Sequence, residues 1–200
     1  MTLMSSLPLP LILASTSRYR ADSLRRLNIA FDSAAPEVDE SHQLAEPVSN
    51  RAARLAKAKA HALSDRFPNS ILIGSDQVAS CQGKVFDKPG SAARAIDTLT
   101  ALRGNEINFH TALCVLHNAS GQCIEHTDLT RVQVRAELSD AEIQRYVEID
   151  QPLDCAGAFK VESLGISLFD SIHTDDPSAL IGLPLIALAK ALREFGLSVP

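Results

Sequence analysis

The sequence has no long hydrophobic run and no excess of basic residues, and each absence excludes a class of protein. Its apolar runs at residues 11–14, 71–73 and 183–189 fall far short of the ~20 residues that a membrane-spanning helix needs. Its 24 acidic residues outnumber its 19 Lys and Arg residues, which gives a net charge of −5. This balance argues against a protein that coats nucleic acid or a membrane surface. Any anion that the chain binds must therefore enter a local basic pocket.

Neither the cysteines nor the histidines have the spacing that metal ligands or catalytic groups usually have. The sequence has four cysteines without a CxxC pair, and its six histidines are dispersed. A zinc site, a His-built metal site and a hydrolase triad are therefore not indicated. We expect reduced and mostly buried thiols at Cys81, Cys114, Cys123 and Cys155.

Length and composition predict one domain. The chain of 200 residues is 46% hydrophobic and 22% charged, which excludes disorder and suffices for a compact domain or for two small lobes that share a core. No segment rich in Pro, Ser or Gly divides it, so we predict a single domain over residues 1–200. Residues 1–10 contain no Lys or Arg and are interrupted by Pro8 and Pro10. Because they lack the features of a secretory signal, we expect a cytoplasmic protein.

Strand and helix signals alternate along the chain, which is typical of an α/β fold. In order, the predicted elements are a strand at 11–14, a helix at 18–27, a strand at 29–34, a helix from 48 to about 66, a strand at 71–73, a hairpin near 82–83, a helix between the Ser91 cap and Gly104, strands at 106–117 and 122–135, a helix opened by a capping box at 139–142, an irregular stretch at 152–165, a strand at 166–172, and a last helix that ends at Gly196.

The loop after the first strand could bind phosphate. Arg18 and Arg20 lie in the opening turn of the predicted helix, where the helix dipole disfavours positive charge. A bound anion would reverse that effect, and the hydroxyls of Ser15, Thr16 and Ser17 with the helix N–H groups would complete a cradle for it. An ordinary capped helix with solvated arginines explains the same residues equally well.

Two lysines outside this loop are further candidates for phosphate binding. Lys59 lies four residues after Leu55 and four before Leu63, so it shares their apolar stripe while Lys57 points elsewhere. Lys88 precedes a proline, which restricts its backbone to extended conformations. The alternatives are a lysine that reaches solvent past the edge of the core, and an ordinary exposed loop lysine.

Carboxylates at two places could assist chemistry. Asp76 follows the apolar run 71–73 through Gly74 and Ser75, and we predict that it lies at the carboxyl end of a central strand, where α/β proteins bind ligands. Asp39 and Glu40 offer hard oxygen ligands for Mg²⁺ or belong to a solvated loop, and an Asp that forms a turn after the strand is the alternative for Asp76. Taken with the basic residues, these groups are what metal-assisted attack on a polyphosphate requires.

Six segments, in this order and spacing, resemble the motifs of the Maf family. They are residues 11–20 (LILASTSRYR), 36–40 (PEVDE), 74–77 (GSDQ), 88–89 (KP), 155–159 (CAGAF) and 182–184 (GLP). The likeness extends from about Leu11 to Phe195. It implies nucleoside triphosphate pyrophosphatase activity and an ITPase-like α/β fold, with a curved mixed sheet flanked by helices and a deep cleft between two lobes.

The resemblance also implies roles for individual residues. Asp76 corresponds to the family's catalytic residue, which accepts the proton of the attacking water. The substrate-binding and phosphate-binding positions are Ser15, Arg20, Lys59 and Lys88, and the metal positions are Glu40 and Asp76. The implied reaction releases a nucleoside monophosphate and pyrophosphate, with a divalent cation, Mg²⁺ or Mn²⁺, that neutralises the triphosphate.

Three positions indicate a branch of the family. Tyr19, Gln77 and Glu162 match the aromatic residue, Gln and Glu of the branch that acts on 7-methyl-GTP, whereas the dTTP/UTP branch has Arg, Thr and Gln there. N7-methylation gives guanine a positive charge, which an aromatic face favours by roughly 0.5–2 kcal/mol and which a carboxylate also attracts. The chain departs from the family pattern at Arg18, where Pro is usual, at Tyr19, where this branch often has Trp, and at Asp87, where Gly is common.

The resemblance therefore implies 7-methyl-GTP pyrophosphatase activity, which we take as the leading hypothesis. The alternatives are the same chemistry on dTTP, UTP or other modified nucleotides, and a regulator of septum formation that binds a nucleotide or a division protein without catalysis. We expect a nucleotide as the partner, and neither nucleic acid nor a membrane. The oligomeric state stays open, with a homodimer as one alternative.

Overall fold

A computed structural model describes residues 9–199, and a seven-stranded mixed sheet forms its centre. The strands are β1 (Leu11–Ala14), β2 (Asp32–Ala34), β3 (Ile71–Cys81), β4 (Lys84–Val85), β5 (Glu106–His117), β6 (Gln122–Val134) and β7 (Phe169–His173). Their order across the sheet is β2-β1-β3-β5-β6-β7, and β4 pairs with the end of β3. The pairs β1–β2 and β1–β3 are parallel, and the remaining pairs are antiparallel.

Five α-helices flank this sheet, as expected for the mixed α/β architecture. They are α1 (Arg18–Arg25), α2 (Val48–His61), α3 (Ala92–Leu102), α4 (Asp140–Asp150) and α5 (Leu185–Glu194). Short 3-10 turns occupy Ala156–Ala158, Leu164–Leu168 and Ala179–Ile181. No helix within residues 9–199 has the length and apolar character that crossing a membrane requires. The part of the secretory-signal argument that concerns residues 1–8 lies outside the described residues.

Local sequence signals account for many element boundaries. The side chain of Ser91 accepts a hydrogen bond from the Arg94 N–H at the start of α3, and Ser139 and Glu142 form the predicted capping box of α4. The turn between β3 and β4 contains Gln82 and Gly83 with φ values of 49° and 79°, which is the left-handed geometry of a tight hairpin. These three predictions are confirmed.

Other predicted boundaries are wrong by several residues. The first two helices end earlier than predicted, at Arg25 and His61, and each continues into a turn. The second strand begins only at Asp32, and the last begins at Phe169 because residues 164–168 form a 3-10 turn. The largest difference concerns β3, which runs through to Cys81 instead of ending at Ile73.

The extension of β3 changes how Asp76 is positioned. Asp76 lies inside the strand, opposite Ala112 of β5, and not in a turn that follows it. The parallel pairing of β1 with β3 stops at Leu13 and Ile73, because β1 ends at Ala14. Asp76 therefore stands just beyond the carboxyl end of the parallel pair, where the departure of β1 leaves room for a ligand.

Helix α2 lies unusually close to β3, and Gly74 makes this possible. A Cβ atom on Gly74 would lie 2.0 Å from the Ala56 carbonyl oxygen and 2.7 Å from the Ala60 backbone nitrogen. The facing helix residues are also small, since Ala52, Ala56 and Ala60 are fully buried against the sheet. The close approach brings the helix residue Lys59 next to the strand residue Asp76.

Three hydrophobic clusters fill the two ends of the molecule. One packs α1 and α5 against one face of β1 and β3, and a second packs α2 against the opposite face. The third joins α3, α4 and the 3-10 turns to the other ends of β3, β5 and β6. A cavity opens between the first two clusters and the third, because its lining comes from both ends of the molecule.

Candidate active site

A cavity with a volume of about 640 Å³, which is in the range of small-molecule sites, opens beside the end of β1. The predicted phosphate, metal and catalytic residues all line it: Ser15, Arg20, Glu40, Lys59, Asp76 and Lys88. Two of the predicted specificity residues, Tyr19 and Gln77, line it as well. The fold thus brings together residues that are separated by up to 73 positions (from Ser15 to Lys88).

A lysine and two carboxylates form the floor of this cavity. The Lys59 Nζ lies 2.6 Å from Asp76 Oδ1 and 2.8 Å from Glu40 Oε1. The side chains of Lys59 and Asp76 are only 7% and 10% exposed, whereas that of Glu40 is 57% exposed. Burial makes this ion pair sensitive to the loss of either partner, because a single buried charge has no water to solvate it.

Several cations act on Glu40 at once. Burial raises the pKa of Glu40, but the hydrogen bond and the charge of Lys59, with the charges of Lys88 and Arg20, outweigh burial and lower the pKa below its usual value. Three basic residues from a helix start, a second helix and a loop therefore converge on one carboxylate. The converse holds for Arg20, where burial lowers the pKa and the carboxylates of Asp76 and Glu40 oppose this effect.

The loop between β1 and α1 holds its polar groups toward the cavity. Ser17 is the N-cap of α1, and the side chain of Ser15, which is 6% exposed, accepts a hydrogen bond of 3.1 Å from the Ser17 N–H. The first turn of α1 contains no acidic residue. Its positive dipole end is therefore uncompensated by the helix itself, which favours an anion there.

Arg20 is held in place by the segment around Gly182. Its Nε donates a hydrogen bond of 2.9 Å to the Gly182 carbonyl oxygen, and the Ser75 hydroxyl donates to the same oxygen at 2.9 Å. Gly182 has a φ of 109°, which only glycine adopts readily, and a Cβ there would lie 3.5 Å from Arg20 Nε. One end of the guanidinium is thus fixed to the backbone, so its orientation does not depend on a ligand.

Gln77 presents an oxygen to the cavity. Its amide nitrogen lies within hydrogen-bond distance of Thr111 Oγ1 and of the carbonyl oxygens of Ala179 and Leu180, at 3.0, 3.0 and 3.1 Å. These acceptors use both N–H groups of the amide. The amide oxygen is therefore the part of Gln77 that is available to accept hydrogen bonds from a ligand.

Tyr19 is half-buried between its neighbour Arg18 and Asp154. The Arg18 guanidinium donates to the Tyr19 oxygen at 2.8 Å and its central carbon lies 4.8 Å from the ring centre, while the Tyr19 hydroxyl donates to Asp154 at 3.1 Å. Burial is the main cause that raises the pKa of Tyr19, so the hydroxyl stays neutral. A cation already contacts this ring, as its quadrupole favours.

A smaller pocket of about 90 Å³ adjoins the cavity and contains the third specificity residue. Tyr19, Gln77 and Glu162 line it together, and Phe109 and Phe159 add apolar surface. Glu162 is exposed, as is Lys88, which borders both spaces. The three predicted specificity residues thus meet at one end of the cavity.

The structure shows which of the two adjacent acids, Asp39 or Glu40, faces the cavity, a choice that the sequence left open. Asp39 is exposed, accepts a hydrogen bond of 2.9 Å from the Ser41 N–H, and does not line the cavity, whereas Glu40 does. Arg54 of α2 fixes the following loop through two hydrogen bonds to Glu46, at 2.6 and 2.8 Å, and one to the Ser41 carbonyl oxygen. Glu40 is therefore the metal candidate of this loop.

Sequence reasoning missed Arg51, which lines the cavity one turn before Leu55. Its side chain is 11% exposed, and its Nε and Nη1 are buried without a hydrogen-bond partner in the described structure. The Nη1 lies 3.6 Å from Asp87 Oδ1, which makes an ion pair but not a hydrogen bond. Arg51 lies two helical turns before Lys59 in α2, and this spacing could have indicated that Arg51 also faces the cavity. An arginine at such a spacing is more often solvated, however.

The four cysteines are free thiols, as predicted, and Cys81 and Cys114 are buried, whereas Cys123 and Cys155 are only half-buried. The sulfurs of Cys114 and Cys123 lie 2.9 Å apart, and the ring of His61 is next to them. The spacing along the chain did not indicate this cluster because the pairing of β5 with β6 creates it.

The cavity can hold a multivalent anion together with a cation. Five basic side chains and four acidic ones line it, so its own charge is nearly balanced and compensates only part of a triphosphate. The carboxylates of Glu40 and Asp76 already converge on one positive charge, the Lys59 ammonium. One or two carboxylates with substrate phosphates and water are a common ligand set for Mg²⁺, so these two residues fit such an ion.

A family model described as "Maf-like protein" matches residues 10–195. The chain belongs to the Maf family. Maf relatives named "7-methyl-GTP pyrophosphatase" include one from Xanthomonas oryzae pv. oryzae (strain MAFF 311018), which is 52% identical over 190 residues, or 95% of this chain and 98% of the relative. Another, from Aromatoleum aromaticum, is 50% identical over 95% of this chain and 97% of its own length.

A solved structure supports the fold of this Maf protein independently. A HAM1 protein from Coxiella burnetii superposes with a TM-score of 0.50, over 93% of this chain and 99% of its own, at 13% sequence identity. At that identity the likeness concerns the fold alone. It confirms the ITPase-like α/β architecture that the Maf motifs imply.

Proposed function

We propose that this Maf protein hydrolyses 7-methyl-GTP to 7-methyl-GMP and pyrophosphate. The observation that carries the proposal is the contact of Lys59 with Asp76 and Glu40 on the floor of a cavity that Ser15, Arg20 and Lys88 also line. The relatives' name supports the same substrate. The catalytic residue, the binding residues and the metal site are parts of this proposal.

Asp76 accepts a proton from the attacking water. Its Oδ1 receives the hydrogen bond from Lys59, and Oδ2 has no such bond among the described residues. A water bound at Oδ2 loses its proton to the carboxylate as its oxygen attacks the anhydride between the α- and β-phosphates. The P–O bond of the anhydride breaks, and pyrophosphate leaves with the electron pair, so no covalent intermediate with the protein is required.

The basic residues bind the triphosphate and orient it toward Asp76. Arg20 is fixed through Nε, which leaves the other guanidinium nitrogens to donate to phosphate oxygens. Lys88 lines the same cavity, and the start of α1 supplies backbone N–H groups. Arg51 joins them, because its unpaired nitrogens gain in the bound anion the acceptors that the protein does not provide.

A divalent cation, Mg²⁺ or Mn²⁺, is held by Glu40 and Asp76 in this proposal. Their carboxylate oxygens are hard ligands, which both ions prefer. The ion supplies charge neutralisation of the phosphates when bound. Lys59, which contacts both carboxylates, keeps them together and limits their mutual repulsion.

The smaller pocket selects the base. The amide oxygen of Gln77 and the carboxylate of Glu162 are acceptors, and the Watson–Crick edge of guanine offers N–H donors. The positive charge of 7-methylguanine is attracted by Glu162 and by the face of the Tyr19 ring that Arg18 does not cover. Unmodified GTP lacks that charge and gains less from both residues.

A substrate panel tests the proposal. Purified protein with Mg²⁺ or Mn²⁺ is assayed for pyrophosphate release from 7-methyl-GTP, GTP, UTP and dTTP. We expect the highest kcat/KM on 7-methyl-GTP, and a larger loss on it than on GTP for Tyr19→Ala, whereas Tyr19→Phe retains the preference. Equal turnover of UTP or dTTP would assign the protein to the other branch. No pyrophosphate release with either metal would instead favour a nucleotide-binding regulator.

A further inference from the structure

A second group of ligating side chains lies away from the cavity, at the C-terminal end of α2. His61, Cys114 and Cys123 each direct one ligating atom to a common point, and these atoms all lie within 4.8 Å of one another. The two sulfurs are 2.9 Å apart. None of the three residues lines either pocket of the candidate active site.

Strand pairing creates this cluster. Cys114 of β5 lies directly opposite Glu125 of β6, and Leu116 lies opposite Cys123. The two cysteines are therefore diagonal neighbours on the same face of the sheet, the face that α2 covers. The partner strand β7 pairs only with residues from Arg131 onward, so the cysteine end of β6 is an edge within the described chain.

Helix α2 contributes the third ligating side chain, His61, to this group. His61 is the last residue of α2, where the helix dipole favours a positive charge. One turn earlier, Lys57 forms an ion pair of 2.7 Å with Glu125, and the same Glu125 oxygen lies 3.9 Å from the Cys123 sulfur. His61 is exposed and Cys123 is half-buried, so an ion can reach the cluster from solvent.

We propose that His61, Cys114 and Cys123 bind one Zn²⁺ ion. Zinc accepts this combination of two thiolates and an imidazole, with bonds of about 2.3 Å to sulfur and about 2.0 Å to nitrogen. At a tetrahedral angle these bond lengths separate the sulfurs by about 3.8 Å and a sulfur from the nitrogen by about 3.5 Å. Side-chain rotations that move the ligating atoms by about 1 Å bring the observed distances between these atoms to the values for bound zinc. Water or Glu125 occupies the fourth position.

Zinc explains the cluster better than a disulfide does. Diagonal positions in an antiparallel pair have Cα atoms about 7–8 Å apart, which exceeds the usual span of a disulfide. A disulfide would also give His61 no role. The bound ion ties the end of α2 to the edge of the sheet, independently of the proposed pyrophosphatase reaction.

Cobalt(II) tests the site, because it takes zinc's ligands and its thiolate complexes absorb strongly in the near ultraviolet. The protein is titrated with Co²⁺ in a phosphine reductant, and the cobalt is then displaced with Zn²⁺. We expect the charge-transfer band to saturate at one Co²⁺ per chain and to vanish when Zn²⁺ is added. Ions held by carboxylates alone give no such band, so the cavity does not contribute to this signal.

Matched variants identify the ligands. Cys114→Ser/Cys123→Ser abolishes the band, whereas Cys81→Ser/Cys155→Ser, which removes the same number of thiols, retains it. His61→Gln alters an exposed residue, keeps the fold, and weakens Co²⁺ binding at least about tenfold. The proposal is overturned if the wild-type protein gives no band, if the band survives in Cys114→Ser/Cys123→Ser, or if mass spectrometry of the reduced protein shows a persistent Cys114–Cys123 disulfide.

Discussion

A lysine on the buried stripe of a helix is costly unless acids receive its charge. Lys59 is 6% exposed and has two acids within 2.8 Å. The side chain of such a lysine could have extended past the edge of the core to place its ammonium in solvent. The structure instead shows the ammonium buried and paired with two carboxylates. The pairing involves the same carboxylates that we propose for proton transfer and metal binding, so we propose that Lys59 positions them in addition to its predicted role in phosphate binding.

Asp76→Asn removes the proposed proton acceptor and keeps the size of the side chain. We expect kcat on 7-methyl-GTP to fall by about 10²–10⁴, because general-base catalysis contributes that much. Nucleotide affinity is retained, since Arg20, Arg51 and Lys88 are untouched. Steady-state kinetics and equilibrium nucleotide binding check the two statements. Asp39→Asn is the control, because this exposed acid does not line the cavity, and unchanged turnover in Asp76→Asn would exclude the proposed role.

Arg51→Gln tests whether the guanidinium, whose Nε and Nη1 have no hydrogen-bond partner among the described residues, binds the triphosphate. A hydrogen bond to a charged group contributes about 1.5–3 kcal/mol, so we expect kcat/KM to fall by about 10–100-fold, mainly through KM. Arg25→Gln removes the same charge from an exposed residue outside the cavity, and it leaves the kinetics unchanged. If both variants behaved alike, Arg51 would serve only in its ion pair with Asp87.

At the scale of elements, the contact of α2 with β3 positions the reactive groups. Gly74 permits the close approach, and the helix contributes Lys59 to the cavity and His61 to the separate cluster with Cys114 and Cys123. The stripe of small residues at Ala52, Ala56 and Ala60 has the same effect. A change in the separation of helix and strand should therefore affect stability and catalysis together.

Gly74→Ala tests this coupling. The new Cβ would lie 2.0 Å from the Ala56 carbonyl oxygen, so α2 must move away from β3. We therefore expect the free energy of unfolding to fall by at least about 1–3 kcal/mol. Activity should fall further than the unfolded fraction explains, because Lys59 is displaced from Asp76. Urea unfolding and kinetics on the folded protein separate the two effects. Gly121→Ala is the comparison, since its Cβ contacts nothing and only its φ of 72° is unfavourable.

At the scale of the whole molecule, local patterns predicted most elements, and long-range pairing decided the rest. The strand at Glu106–His117 and the capped helices α3 and α4 follow from alternation and from Ser residues at helix starts. The continuation of β3 past Ile73 could not be predicted, because Gly74, Ser75 and Asp76 are typical of turns. They remain extended because β5 pairs with them along its length.

The predicted site residues illustrate the same limit. The family motifs indicated Ser15, Asp76 and Lys88, and the fold gathers them around one cavity. Arg51 belongs to no motif, and the structure indicates it only because it lines the cavity with two buried nitrogens, Nε and Nη1, that have no hydrogen-bond partner among the described residues. The His61, Cys114 and Cys123 cluster likewise depends on the register between two strands, which spacing along the chain does not reveal.

We expect the free energy of unfolding to stay nearly constant at intermediate pH and to decrease at both acidic and alkaline pH. At the acidic end, hydrogen bonds and charges lower the pKa of Glu46 from 4.5, through Arg54, and that of Glu142 from 4.5, through Ser139. A folded pKa below the unfolded value gives stability that is present above pH 4.5 and is lost as the pH falls through the folded value. The Glu46 and Glu142 side chains are 10% and 34% exposed, so solvent still screens each ion pair in part and the decline is gradual.

At the alkaline end, burial raises the pKa of the Cys155 thiol from 9.0 to about 12 and also raises that of Tyr146. The unfolded chain ionises these groups first, so stability is present below pH 9 and is lost as the pH rises toward the folded values. Urea midpoints measured from pH 3 to pH 11 check both ends. Cys155→Ser should delay the alkaline decline and leave the acidic one unchanged, whereas Glu142→Gln should flatten only the acidic end. A curve that declined identically in all three proteins would show that other groups control it.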